Sequence, residues 1–134
     1  SYEEVEGKIK TALRDKNPWK RYWGLIVCSS FGIKAKGLVP QIQTILQVDH
    51  ENLVRIRAVE YLLLNHIPFD KKILKNLLEN ADSETEANLM LNTLSLIKEY
   101  QPNIKFNFSK EIFPAKWYDK PNDLVNRRSE LLIN

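Results

Sequence analysis

A chain of 134 residues, 43% hydrophobic and 28% charged, has the length of one domain and too much apolar content for a disordered segment. One cysteine excludes an internal disulfide framework and a multi-cysteine zinc site, and four glycines argue against a Gly-rich phosphate loop. The net charge of +3 is too mild for a typical nucleic-acid binder, no apolar run reaches the ~18–20 residues of a membrane span, and residues 1–30 show no signal-peptide pattern.

The pattern predicts helices from the first turn onward. Tyr2, Val5, Ile9, Ala12 and Leu13 share one stripe, with Glu3, Glu4 and Glu6 placed to suit the N-terminal end of the helix dipole. Asn17-Pro18 reads as an N-cap followed by proline at the first helical position. A second helix is expected from about Pro18 to Phe31, stopping at Gly32. Trp19, Tyr22, Trp23, Leu25, Ile26, Val27, Cys28 and Phe31 make it apolar on nearly all sides, so it should be covered on most faces. A short third helix is expected over about Leu38–Val48, with Ile42, Ile45 and Leu46 inward. Asn52 is placed to cap a fourth, Leu53 to about Asn65, ending before Pro68. Asp70 is placed to cap a fifth, Lys71–Glu79, with Ile73, Leu74, Leu77 and Leu78 inward. Ser83 and Glu86 have capping-box spacing and open a sixth, which carries Ala87, Met90, Leu91, Leu94 and Ile97 on one stripe and ends near Tyr100.

Beyond Pro102 the period changes. Ile104, Phe106 and Phe108 alternate with polar residues, as in an extended segment. Phe113, Pro114, Trp117, Tyr118 and Pro121 follow. Such aromatics predict an arm pinned across helices or onto another domain. A last short helix is expected from near Pro121, using Leu124, Val125, Leu131 and Leu132.

Three helix pairs raise the question of an internal repeat. Asp15 and Asp49, Arg21 and Arg55, and Gly24 and Ala58 are each separated by 34 residues. In the third unit Asp82 fits, but Asn88 stands where an arginine is expected. These residues resemble the HEAT repeat family, in which antiparallel helix pairs stack into a superhelix. The resemblance covers roughly residues 3–100. It implies that Asp15, Arg21, Asp49 and Arg55 form a ladder along the stack, with carboxylates accepting from helix N-terminal amides and arginines bridging to the neighbouring repeat. Lys36-Gly37-Leu38-Val39-Pro40 resembles the start of a HEAT first helix. Armadillo-like units, or plain pairs of long helices, are the alternatives.

Three stretches carry a narrower resemblance: residues 15–24 (Asp15 to Gly24), residues 55–60 (Arg55 to Glu60) and residues 87–94 (Ala87 to Leu94). Together they resemble the C-terminal HEAT-like extension of bacterial sulfatases of the heparan N-sulfatase and arylsulfatase-like kind. That resemblance implies a separate N-terminal catalytic domain that hydrolyses sulfate esters or sulfamates with a formylglycine and a calcium ion. It also implies export to the periplasm or outside the cell. This chain has none of that machinery. Cys28-Ser29-Ser30-Phe31-Gly32 lacks the proline and arginine of the formylglycine motif.

The remaining candidates are weaker. His50 lies between Asp49 and Glu51, but His66 is the only other histidine and sits near the far end of the next helix, so a solvated turn is preferred to a metal or acid–base site. Ser29-Ser30 has no nucleophile frame. Cys28 reads as a small apolar filler. Lys71, Lys72 and Lys75 read as a solvated helix face. Arg14, Lys16, Lys20, Arg21, Lys34 and Lys36 stand against one acid, Asp15, while Glu79, Asp82, Glu84 and Glu86 form an acidic stretch; a solvated mixed surface is preferred to nucleic-acid binding. Trp19, Tyr22 and Trp23 are residue types that dominate interface hot spots, and Lys16 and Lys20 flank them. Both faces of that helix are core, or at least one tryptophan docks a partner.

The expected fold is all-α: a right-handed α-α superhelix of about three HEAT-like pairs over residues 1–100, with an extended aromatic arm and short terminal helix over 101–134. The expected role is non-catalytic, with no metal or cofactor of its own. The chain would pack on a sulfatase-like catalytic domain in cis, or shape access of a sulfated glycan. A free-standing protein-binding adaptor is the alternative, and a nucleic-acid module a weaker third.

Overall fold

The computed structural model describes residues 1–109 and 112. The chain is all-helical, with no strand among the described residues. It divides into two compact units, Ser1–Phe69 and Asp70–Asn134.

The first unit contains α1 (Tyr2–Leu13), α2 (Pro18–Phe31), a 3-10 segment (Gly32–Leu38), α3 (Val39–Val48) and α4 (Asn52–Leu64). Local chemistry sets these bounds. The Asn17 side chain accepts from the Trp19 amide at 2.9 Å, and Pro18 supplies a first residue with no amide to satisfy. α2 stops at Gly32, whose φ of 60° lies in the region glycine tolerates best. Gly32 and the six residues after it wind as a 3-10 segment that buries Ala35 and Leu38, an element the periodicity did not announce. The fourth helix begins at Asn52 itself, so Asn52 is not its cap; Glu51 holds that position, and the Asp49 carboxylate accepts the Glu51 amide at 2.9 Å.

α1 packs on α2, α3 on α4, and α2 on α4. Gly24 sets the closeness of the first pair. A Cβ there would lie 3.1 Å from Leu13 Cδ2 and 3.3 Å from Ala12 Cβ. Leu25, Cys28, Ile42, Leu46, Ala58 and Tyr61 are buried and form the core of this unit. Burial of each leucine side chain contributes about 2 kcal/mol. The expectation that α2 is covered on most faces is corrected here. Its buried residues are Gly24, Leu25 and Cys28, whereas Trp19 and Trp23 are 54% and 62% exposed.

The second unit contains α5 (Lys71–Glu79) and α6 (Glu84–Tyr100). Asp70 caps α5 by accepting from the Lys72 amide at 2.9 Å, and Leu74, Leu77 and Leu78 are buried. Ser83 accepts from the Glu86 amide at 3.1 Å, and the Glu86 carboxylate accepts from the Asp82 amide. Ala87, Met90, Leu91, Leu94 and Ile97 form the buried stripe of α6. After α6 the alternation is kept in burial but not in a straight strand. Phe106 and Phe108 are buried, and their rings stack with centroids 6.2 Å apart. Asn107 between them takes a φ of 56°, which turns the chain. The Lys71 ammonium donates to the Lys105 carbonyl. Phe113, Pro114, Trp117, Tyr118 and the helix expected from Pro121 lie outside the described residues.

Candidate docking surface

Of the four residues expected to form a ladder, Arg21 and Asp49 meet at the joint between the two helix pairs of the first unit. Arg21, on the first turn of α2, presents its fork to Asp49 in the α3–α4 turn: Nε donates to Oδ2 at 2.7 Å and Nη2 to Oδ1 at 3.0 Å. Nη1 donates to the carbonyls of Asp15 and Lys16 in the turn of its own pair. One guanidinium thereby fixes two turns. Side-chain exposures of 17% and 5% show that the pair is largely withdrawn from water. Hydrogen bonding to Asp49 raises the Arg21 pKa above the ordinary arginine value.

The other ladder residues act locally. Asp15 accepts from the Asn17 amide at 2.8 Å and pairs with Lys20 at 3.4 Å. The amide bond chiefly, and Lys20 next among the favourable contacts, hold its carboxyl below the usual carboxylate range. Arg55 donates through Nε to the Leu46 carbonyl at 2.8 Å, within the second pair.

The aromatic candidates sit together on α2 and are held from below. Trp19 and Trp23 each meet the Tyr22 ring edge-to-face, with centroids 5.9 and 5.8 Å away. Arg57 of α4 lies 5.1 Å from the Tyr22 ring centroid, donates to its hydroxyl at 2.9 Å, and is itself paired with Glu60 at 2.8 Å. The two exposed indoles therefore rest on an ordered Tyr22–Arg57–Glu60 base. Lys16 and Lys20 are exposed beside them.

Two concavities flank this cluster. An apolar groove of about 410 Å³ runs between α1 and α2, with Val5, Ile9 and Ala12 on one wall and Trp23, Gly24 and Val27 on the other. Its charged lining residues are Lys8 and Lys20, with no acid among them. A more polar hollow of about 510 Å³ at the end of α1 is lined by Lys10, Thr11, Arg14, Asp15 and Lys16. The α1 wall, Val5, Ile9 and Ala12, was legible as part of an apolar stripe, but not as one side of an open groove.

The remaining candidates are dispersed. His50 and His66 are both exposed, and no group of three or more His, Cys, Asp or Glu side chains able to hold a metal occurs among the described residues. Cys28 is fully buried, and burial pushes its thiol up to about 11, which suits a filler and not a nucleophile. Lys71, Lys72 and Lys75 are exposed on α5, with Lys75 paired to Glu79. Among the described residues, no helix is long and apolar enough to cross a membrane. Compared with protein-family models, curated proteins and solved structures, the chain matches none.

Proposed function

We propose that this chain is a non-catalytic helical-repeat module of HEAT-like architecture that works by docking. The observation that carries the reading is the aromatic face of α2. Two indoles stand largely in water, yet both rest on Tyr22, which Arg57 locks in place. Exposed tryptophan beside arginine and tyrosine is the chemistry of an interface anchor, and a pre-ordered anchor loses little entropy on binding. The Arg21–Asp49 bridge supports the repeat reading, since it joins one pair to the next at equivalent turns.

The sulfatase parentage is part of the same proposal. The three stretches around Asp15–Gly24, Arg55–Glu60 and Ala87–Leu94 support it. In that setting the module packs on the N-terminal catalytic domain, which supplies the formylglycine and calcium for sulfate-ester or sulfamate hydrolysis. The polar hollow lined by Lys10, Arg14 and Lys16 then favours an anionic sulfated glycan near the cleft. A free-standing adaptor uses the same aromatic face on a separate protein.

The size and location of the native protein test this. An antibody to this chain is used on lysate and extracytoplasmic fractions of the source cell. A band several times 15.7 kDa outside the cytoplasm, with sulfatase activity, is the expected result. A cytoplasmic band at the size of this chain overturns the sulfatase parentage and leaves the adaptor. In the parent enzyme, charge reversal at Lys16 and Lys20 should raise the Michaelis constant for a sulfated glycan; an unchanged constant removes the glycan role.

A further inference from the structure

The 34-residue register relates the open groove to a surface that is already covered. The α2 wall of the groove presents Trp23, Val27 and Phe31. One repeat later the same positions are Arg57, Tyr61 and Asn65 of α4. All three face α2 or the residue that ends it: Arg57 donates to the Tyr22 hydroxyl, Tyr61 donates to the Gly32 carbonyl at 3.0 Å, and Asn65 Oδ1 lies 3.7 Å from where a Gly32 Cβ would stand. The groove is therefore the first-pair copy of the face that α2 covers on the second pair. The ladder follows the same register. Asp49 receives the Arg21 fork, while Asp15, its counterpart, holds only the exposed Lys20 at 3.4 Å besides the turn amide.

We infer that the α1–α2 groove takes a helix of a partner polypeptide, laid across it as α2 lies across α4, whose arginine pairs with Asp15 as Arg21 pairs with Asp49. The occupant's charge pattern follows from two differences between the copies. Lys8 and Lys20 stand where the second pair has Ile42 and Val54, both buried. Lys8 has no ion-pair partner among the described residues, and Lys20 loses Asp15 once an arginine arrives. The docked helix therefore carries carboxylates over these two lysines, and an apolar stripe at i, i+4 and i+7 over the floor made by Ala12 and Gly24. Trp23, on the rim, closes over the stripe. This assignment deepens the docking role proposed above and is independent of the sulfatase parentage.

The test uses the full chain and a synthetic, tryptophan-free amphipathic helical peptide. The peptide carries an Arg-Tyr step as in α2, the apolar stripe and two flanking glutamates. Binding is read from the tryptophan emission of the chain and from backbone amide shifts on α1 and α2. Saturable binding with a blue shift is expected. Replacing the peptide arginine by glutamine should weaken binding about tenfold on the native chain and leave it nearly unchanged on the Asp15→Asn variant, the signature of a direct pair. The peptide exchange cannot unfold the chain, so the first comparison stands even if Asp15→Asn is destabilised. No saturable binding overturns the assignment, as does equal binding of the arginine and glutamine peptides, or shifts that map away from α1 and α2.

Discussion

The 34-residue spacing sets two faces of the first unit in correspondence, and they differ in what lies on them. On α4, Arg57 and Tyr61 meet α2 through hydrogen bonds of 2.9 and 3.0 Å, and Tyr61 is completely buried. On α2, the corresponding Trp23 and Val27 line an open groove. The side chains at the corresponding positions differ, and so does the neighbour: α2 packs on α4, whereas the groove on α2 stands open. A tyrosine in the covered copy must find an acceptor for its hydroxyl, and it finds the Gly32 carbonyl. A tryptophan in the open copy can leave its ring edge in water.

The largest break in this comparison comes from truncating the covered copy. Tyr61→Ala should destabilise the chain by about 4 kcal/mol, because it leaves a ring-sized cavity and removes the hydrogen bond to the Gly32 carbonyl. Urea unfolding measures it. Arg21→Ala should follow at about 3 kcal/mol, since it strands the withdrawn Asp49 carboxylate and two turn carbonyls; a loss under about 1 kcal/mol would show that the bridge contributes little.

Alkaline pH sharpens the contrast next. Burial pushes the Tyr61 hydroxyl from 10.0 up to about 12 and the Cys28 thiol from 9.0 up to about 11. Both groups ionise more readily in the unfolded chain. Their contribution is whole below pH 9.0 and is lost as pH rises toward 12. The urea midpoint should fall across that window, and Tyr61→Phe should flatten the part above pH 10. At neutral pH, Cys28 should react with a maleimide only as fast as the chain opens.

The smallest effect belongs to the open copy. Trp23→Ala should change stability by no more than about 0.5 kcal/mol, as at other exposed positions, while abolishing the emission change on peptide docking. A loss comparable to that of Tyr61→Ala would mean that Trp23 is a core residue after all.

Much of this was legible in the residues. Asn17-Pro18 and Gly32 marked both ends of α2, Asp70 marked the start of α5, and the stripes of α3, α5 and α6 named nearly all their buried side chains, though Ile73 is only half-buried and Thr93 was missed. These are local signals, each set by one cap or one period. The 3-10 segment was not legible, because Gly32–Leu38 carries no period of its own and is shaped by what Ala35 and Leu38 bury. Asn52 was read as a cap because its type suits one, but the helix starts one residue earlier than expected, with Glu51 at the cap position and the Asp49 carboxylate accepting its amide. The two tryptophans were placed on the right helix, but that helix was expected to be covered on most faces, and both stand exposed. A helical wheel gives the direction of a side chain and not the presence of a neighbour, so their exposure waited for the structure. The 34-residue register was plain in Asp15, Arg21, Asp49 and Arg55; that one copy of the face is covered and the other open was not.

The Tyr61–Gly32 hydrogen bond has a dynamic consequence. It ties the last turn of α4 to the point where α2 ends, while Arg21 ties the other end of α2 to the α3–α4 turn. α2 is thus fastened to the second pair at both of its ends. Fraying either pair alone would break a fastening. Coupling at both ends merges the two helix pairs into one opening event. The slowest-exchanging amides of α2 and α4 should therefore share a single opening free energy, and Ser1–Phe69 should melt as one cooperative body and not as two successive hairpins.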